Sequence, residues 1–314
     1  MQDVTDLPFW RLISRYGGAD VYFTEYFRVH GTSTLDKPIV ASIVHNPTGR
    51  PIVAQMIGND DQALVRTAEA LQKLPIAAID LNLGCPAPVV YRKCAGGGLL
   101  RDLPLVDRIL GSLRDAIRIP FTVKTRIGFD TEETLDQLLP ILERHSLDLV
   151  TVHGRTVLQM YRDGVRYDLI ARAAEVLPCP VLANGNVSTA PVGLQIWNST
   201  GTQGLMIGRG AVRNPWIFSQ IRQLVRGEAP IVPTGRDVLE YVHALYDTVA
   251  APGAAEFTQV QKMKKYANFL GVGVDSDGSF LHRMRRSQTR LEFFAACAES
   301  LDHNEPMALA PASG

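Results

Sequence analysis

The sequence has few cysteines and no cysteine pair at metal-binding spacing. The four, Cys85, Cys94, Cys179 and Cys297, are scattered over 314 residues. A disulfide-stapled chain carries a denser set, and a structural zinc site needs closely spaced ligands such as C-x-x-C. The spacing therefore argues against a disulfide scaffold and predicts a reducing compartment and no metal site.

Long apolar runs and net charge are also lacking. No apolar run reaches the roughly 18 residues of a membrane helix, and the first residues lack a signal-peptide pattern. With 32 basic and 32 acidic side chains, a nucleic-acid partner must be held by a local patch. We expect a soluble, cytoplasmic monomer without membrane contact.

Short β-rich runs alternate with longer helical patterns. The predicted strands lie at 21–24, 52–56, 77–83, 121–126, 147–153, 181–183 and 204–207. A helical pattern at 8–16 comes before the first of these strands, and further helical patterns lie between the strands at 60–74, 104–117, 131–145, 167–177 and 189–199. This alternation indicates a parallel sheet, and the length suits a TIM (β/α)8 barrel of about 250 residues with an appendage.

The first strand of such a barrel is not found, because no strand precedes the helical pattern at 8–16. A seven-stranded doubly wound sheet is the alternative fold. The lack of a G-x-G-x-x-G motif at the first turn weighs against it. We therefore predict an α/β barrel whose first strand is largely missing from this chain.

Residues 80–86 form the centre of the predicted site. Asp80 and Asn82 alternate with apolar residues in a mostly buried strand, which delivers both polar side chains to one end. Gly84 and Pro86 then place Cys85 at a turn. A buried structural thiol is the alternative interpretation of Cys85, because free cysteine is among the most buried residue types.

Polar side chains stand at the carboxyl end of nearly every predicted strand, where barrels carry their active sites. They are Glu25, Tyr26, Gln55, Asn82, Cys85, Lys124, Arg126, His153 and Arg155. The sequences Asn-Gly-Asn at 184–186 and Gly-Arg-Gly at 208–210 follow the last two strands, where barrels commonly bind a phosphate through backbone N–H groups. A cofactor phosphate is therefore expected there.

Five motifs, in this order, resemble those of the tRNA-dihydrouridine synthases. They are Asp80-Leu-Asn-Leu-Gly-Cys-Pro, Val123-Lys-Thr-Arg, Val152-His-Gly-Arg, Ala183-Asn-Gly-Asn and Met206-Ile-Gly-Arg-Gly-Ala. The resemblance runs from Met1 to about Ser219 and continues more weakly beyond it. It implies an FMN that is reduced by NADPH or NADH and passes a hydride to C6 of a uridine in the tRNA D-loop, after which a cysteine protonates C5.

The resemblance also implies a role for individual residues. Cys85 is the acid, which agrees with the protonated state of a typical thiol near neutral pH. Met1, Gln55, Lys124 and His153 touch the flavin. The phosphate is held by Asn184, Gly185, Asn186, Gly208 and Arg209. The uracil edge is contacted by Asn82 and Arg126.

A finer resemblance is to the subfamily that modifies uridine 16. It rests on Thr24-Glu-Tyr-Phe-Arg-Val, on the glycine run at 96–98, and on Tyr161 after His153-Gly-Arg-Thr. That subfamily uses such a tyrosine to stack on or bond to the target base. The alternative is that Tyr161 only covers the barrel rim.

The chain departs from the family pattern in two places. Relatives open with an Ala-Pro-Met-x-x-Val-Thr-Asp run that ends strand one, whereas this chain begins at the methionine of that run. We expect a start assigned too late or a truncated sequence. Ala87-Pro88 stands where relatives often carry Ser-Lys, so one tRNA phosphate contact is expected to be absent.

The resemblance and the composition divide the chain into four parts. We predict a catalytic FMN-binding barrel at 1–227, a linker at 228–235, a helical tRNA-binding domain at 236–303 and a disordered tail at 304–314. Arg283 and Arg286 share a helix face and are expected to contact the tRNA backbone. A solvated charged face is the alternative.

Two other functions remain open on the sequence. An FMN barrel reductase of a free pyrimidine or other small molecule would share the site. A non-catalytic tRNA-binding protein would explain the missing strand.

Overall fold

A parallel sheet forms the centre of the protein. The computed structural model describes residues 4–162, 164–250, 253–275 and 277–311. Across these residues the strands are β1 (Tyr22–Phe23), β2 (Phe27–Arg28), β3 (Ile52–Ile57), β4 (Ala78–Leu83), β5 (Phe121–Arg126), β6 (Leu149–His153), β7 (Val181–Asn184) and β8 (Gly204–Met206). All seven predicted strands form, and β2 is an additional short one.

The strand order is that of a TIM-like barrel. The sheet runs β1-β3-β4-β5-β6-β7-β8, with β2 also paired to β3, and every pairing is parallel. Every residue of β3 and β4 is buried, as expected for strands covered on both faces. Within the described residues β1 and β8 do not pair, so the barrel is open where the first strand is predicted to be missing. The predicted fold class is confirmed.

Helices follow the strands and cover the sheet. In the part of the chain that the structure describes, the barrel region contains α1 (Leu7–Ser14), α2 (Lys37–Val44), α3 (Asp61–Leu71), α4 (Pro88–Tyr91), α5 (Leu103–Ala116), α6 (Thr134–Arg144), α7 (Tyr167–Val176), α8 (Ala190–Thr200), α9 (Arg209–Arg213) and α10 (Ile217–Val225). Asp60, Asp102 and Thr189 cap α3, α5 and α8 by accepting a bond from a backbone N–H. A 3-10 helix spans Gly96–Arg101.

The C-terminal region is helical. It contains α11 (Gly235–Val249), α12 (Glu256–Leu270), α13 (Ser279–Arg286) and α14 (Arg290–Leu301). Helices α13 and α14 are separate because Thr289 and Glu292 form a capping box that starts a new helix.

The C-terminal helices dock on the barrel through aromatic side chains. The Tyr16 ring lies 4.9 Å from Trp216 and 5.5 Å from Tyr241, centroid to centroid. The Tyr241 hydroxyl donates to the Val212 carbonyl at 2.9 Å, and the Tyr266 hydroxyl donates to the Val4 carbonyl at 3.2 Å. The domain boundaries themselves stay a prediction.

Residues 304–311 differ from the disorder expected for 304–314. Met307 N–H donates to the Pro233 carbonyl at 2.7 Å, and Gly235 N–H donates to the Glu305 carbonyl at 3.1 Å. Leu309 is 1% exposed. The expectation failed because Met307 and Leu309 give this Pro/Ala-rich segment apolar side chains to bury.

No helix in the described residues is both long and apolar enough to cross a bilayer.

Candidate active site

The parallel strands bring most of the predicted residues to one mouth of the barrel. Strand register places Asn82 beside Lys124, Arg126 beside His153, and His153 beside Asn184. Gln55 lies beside Asp80 on the neighbouring strand. Residues that are far apart in the sequence therefore form one site at the carboxyl ends of β3 to β7.

A chain of hydrogen bonds runs across the floor of this site. The Asp80 carboxylate accepts from Thr122 Oγ1 at 2.6 Å and from Gln55 Nε2 at 2.8 Å. Gln55 Oε1 accepts from Asn82 Nδ2 at 2.8 Å. Asn82 Oδ1 then accepts from the backbone N–H groups of Gly84 and Cys85 at 3.0 and 2.9 Å. These hydrogen bonds hold the turn at Gly84 and Cys85 against the sheet.

Cys85 lies half-buried between this turn and the glycine run. A Cβ on Gly96, whose φ is +54°, would lie 3.0 Å from the Cys85 Cβ, so only glycine allows this approach. Gly97 N–H donates to the Cys85 carbonyl at 3.2 Å. The pKa of Tyr26 is raised, mainly by burial and next by the nearby Cys85. Tyr26 therefore stays a neutral phenol beside the thiol.

Cations surround the mouth. The pKa of Lys124 is lowered to about 8, mainly by burial and next by the positive charge of Arg126, while the negative charge of Asp80 opposes the shift. Burial raises the pKa of Asp80 to about 6. Near neutral pH, Lys124 is therefore largely protonated and Asp80 largely ionised.

His153 is neutral and incompletely bonded. The pKa of its imidazole is lowered, mainly by burial and next by the positive charges of Arg126 and Lys124. Within the described residues His153 Nδ1 is buried and has no hydrogen-bond partner. A buried ring nitrogen without a partner carries a free-energy cost, which a bound group with a complementary polar atom would remove.

The Arg126 guanidinium donates hydrogen bonds to backbone carbonyls. Its Nε donates to the Gly84 carbonyl at 2.9 Å, and its Nη1 donates to the carbonyls of Thr156 and Met160 at 2.7 and 2.8 Å. Burial lowers its pKa to about 10, so it remains charged at neutral pH. Arg126 thus ties the cysteine turn to the loop after β6, whereas its predicted contact with a uracil edge stays a prediction.

Tyr161 lies on that loop between two cations. Its ring centroid is 4.5 Å from the Arg209 guanidinium carbon and 5.7 Å from that of Arg126. The side chain is 52% exposed, so one part of the ring is open to a partner.

The loops after β7 and β8 carry the residues that the sequence predicts to form a phosphate cradle. Gly185 and Asn186 have φ of +129° and +48°, and the Asn184 amide donates to the Met206 carbonyl at 2.8 Å. A Cβ on Gly210 would lie 2.2 Å from the Val187 carbonyl oxygen. These close backbone approaches, with Arg209 at the start of α9, fit an anion held by N–H groups.

Two predicted residues, Arg283 and Arg286, are not brought to the mouth, and a third, Met1, lies outside the described residues. Arg283 and Arg286 lie on α13, where Arg283 pairs with Glu299 at 3.0 Å and donates to Ser300 Oγ at 2.8 Å. Arg286 is exposed and makes no ion pair within the described residues.

Sequence reasoning assigned no role to Tyr26, Asp80 or Arg155, although it placed Tyr26 and Arg155 at strand ends. Arg155 is buried and donates from Nη1 to Asn186 Oδ1 at 3.3 Å, beside the cradle. Asp80 could have been recognised from its place inside an apolar strand. A buried carboxylate needs hydrogen-bond partners, so its position there indicates a hydrogen-bonded network.

Comparisons with known proteins agree with this geometry. The sequence model described as "Dihydrouridine synthase (Dus)" matches residues 1–296. A probable tRNA-dihydrouridine synthase of Rickettsia bellii is 33% identical over 290 residues, covering 89% of this chain and 86% of that protein. A tRNA-dihydrouridine synthase B of Vibrio vulnificus is 32% identical over 253 residues, covering 79% and 78%.

Among solved structures, histamine dehydrogenase from Rhizobium sp. 4-9 is similar in fold, with a TM-score of 0.54 and 12% identity. The match covers 76% of this chain and 47% of that one, so this chain spans about half of the dehydrogenase.

Proposed function

Because the chain belongs to the dihydrouridine synthase family of flavin-dependent oxidoreductases, we propose that it reduces one uridine in the D-loop of tRNA. FMN is the proposed flavin, and NADPH or NADH the proposed reductant. The observation that carries the proposal is the position of Cys85, a thiol held at the barrel mouth among cationic and amide side chains.

Two structural features support FMN at this mouth. His153 Nδ1, which has no hydrogen-bond partner within the described residues, suits a ring with hydrogen-bonding groups, and the loops around Gly185 and Gly208 suit its phosphate. When bound, FMN supplies the two electrons of the reduction. We assign ring contacts to Gln55, Lys124 and His153, and to Met1 by family likeness. Phosphate contacts are assigned to Asn184, Gly185, Asn186, Gly208 and Arg209.

The chain's own groups supply charge and a proton. Protonated Lys124 stabilises negative charge on a bound ring, and the neutral imidazole of His153 offers a hydrogen bond without adding a second charge. Cys85 donates its proton to C5 of the uracil and is left as a thiolate. Tyr26 lies near the thiol and remains protonated, so its hydroxyl can donate a hydrogen bond to that thiolate.

Base recognition is assigned to Asn82, Arg126 and Tyr161. Asn82 uses one amide N–H on Gln55 and keeps the other for the base. The exposed ring of Tyr161, backed by Arg209, can stack on a uracil turned out of the tRNA. Uridine 16 is the proposed target, by the motif at 24–29 and by Tyr161.

The C-terminal helices are proposed to hold the tRNA backbone through Arg286, with a smaller part for Arg283. Arg286→Glu should weaken tRNA binding and reduce the slope of log affinity against log salt by about 0.9 for each phosphate that the protein no longer neutralises. Arg283→Glu is the matched variant, because Glu299 already neutralises part of its charge. A salt slope that Arg286→Glu leaves unchanged would show that the arginine belongs to a solvated face.

Two observations separate this function from its rivals. Colourless purified protein that still binds tRNA in a salt-sensitive way would indicate a non-catalytic binding protein. Flavin that is reduced by NADPH and reoxidised by free uracil or orotate, but not by tRNA, would indicate a small-molecule reductase. The proposed function requires reoxidation by tRNA.

A further inference from the structure

The Asp80 carboxylate starts the hydrogen-bond chain that ends at the cysteine turn. It is fully buried on β4 and accepts from Thr122 Oγ1 and Gln55 Nε2. We propose that Asp80 is a positioning residue, which sets the donor-to-acceptor direction of this chain and so fixes the turn that carries Cys85. The proposal deepens the proposed function, because the turn matters to the reaction as the support of the proton donor.

The direction of the chain follows from what each group can do. An ionised carboxylate only accepts, so Gln55 must turn its Nε2 towards Asp80 and its Oε1 towards Asn82. Asn82 must then donate from Nδ2 to Gln55, which leaves its Oδ1 facing the turn. The backbone N–H groups at the turn only donate, so both ends of the chain demand the same direction.

A donor at position 80 that faces Gln55 would reverse this order. The Gln55 amide would turn over, Asn82 would follow, and Asn82 Nδ2 would face the N–H groups of Gly84 and Cys85. Two donors cannot bond to each other, so both hydrogen bonds of the turn would break. Side-chain amides are nearly symmetric in shape, so the direction is set by hydrogen-bonding partners and not by packing.

Four variants separate this role from simple packing. Asp80→Leu removes the acceptor. Asp80→Asn can keep a carbonyl oxygen towards Gln55 while its new amide donates to the Thr122 hydroxyl, and Thr122→Val keeps the carboxylate. In the double variant Asp80→Asn with Thr122→Val the new amide has lost the threonine hydroxyl, and bonding to Gln55 Oε1 instead requires the chain of hydrogen bonds to reverse.

Residue-resolved amide hydrogen exchange at Gly84 and Cys85 in the flavin-loaded protein is the test. We expect about tenfold or faster exchange in Asp80→Leu and in the double variant, equivalent to about 1.4 kcal/mol, and changes within about threefold in each single polar variant. Uridine reduction should fall in the same two proteins while the flavin absorbance remains. Thr151→Val, at a buried hydroxyl without a hydrogen-bond partner in the described residues, is the control.

The proposal is overturned if Asp80→Leu leaves exchange at the turn unchanged, or if the double variant only multiplies the effects of its two single changes. If Asp80→Leu does not fold, the comparison of the double variant with its two single variants tests the proposal by itself. Amide hydrogen exchange is measured without catalytic turnover. A set of variants with the expected exchange pattern but no activity on tRNA would therefore refute the proposed function and still support the positioning role of Asp80.

Discussion

Cys85→Ala is expected to lower the rate of uridine reduction by about 10²- to 10⁴-fold while leaving the flavin bound and still reducible by NADPH. The loss follows because the thiol is the proposed proton donor, whereas the turn is held by its backbone N–H bonds to Asn82. Single-turnover reduction of tRNA, followed beside flavin reduction, separates the two half-reactions.

Cys94→Ala provides the matched control for Cys85. Cys94 is exposed and lies nine residues further along the chain, and it has no place in the proposed chemistry. It should reduce tRNA at the rate of the unaltered protein. If Cys85→Ala retained that rate as well, the assignment of Cys85 as the acid would be wrong.

Arg126→Lys is expected to lower the stability of the fold, through lost hydrogen bonds to the backbone. The guanidinium donates to three backbone carbonyls at once, and a single ammonium group cannot reach all three in that geometry. The Gly84 and Thr156 carbonyls lie in buried contacts, so losing their partner would leave them buried and unsatisfied, at about 2 to 5 kcal/mol in the free energy of unfolding. Urea unfolding should show a lower midpoint, and limited proteolysis should show earlier cleavage in the loop at 156–161.

Arg172→Lys is the control for that experiment, because Arg172 makes an exposed ion pair with Asp136 and should change stability little. The result also separates two roles for Arg126. If Arg126 served only to touch the uracil edge, Arg126→Lys would keep the unfolding midpoint and the loop, and would weaken tRNA reduction alone.

Much of the barrel could be predicted because its signals are local. Each predicted strand is a short β-rich run, and polar residues lie at or directly after its end in the sequence. The parallel order then places Asn82, Lys124 and His153 together without further information. Helices such as α2 and α9 were missed because they are short and carry little periodic pattern.

The functions of individual polar atoms could not be predicted in this way. Gln55 and Thr122 lie 25 and 42 residues from Asp80 in the chain, and only the sheet register brings them to its carboxylate. Two of the three carbonyls that accept hydrogen bonds from Arg126, those of Thr156 and Met160, belong to a loop 30 and 34 residues further along the chain, which no local pattern reveals. The tail was misjudged on composition, since two apolar side chains were enough to pack it.

The most direct test of the account is the product formed on tRNA. Purified protein is incubated with NADPH and unmodified tRNA, and the D-loop fragments are analysed by mass spectrometry. We expect a gain of two hydrogens on a single D-loop uridine, assigned to position 16, and a gain that is about 10²- to 10⁴-fold slower with Cys85→Ala. A flavin-loaded protein that leaves every uridine of the tRNA unreduced would contradict the account.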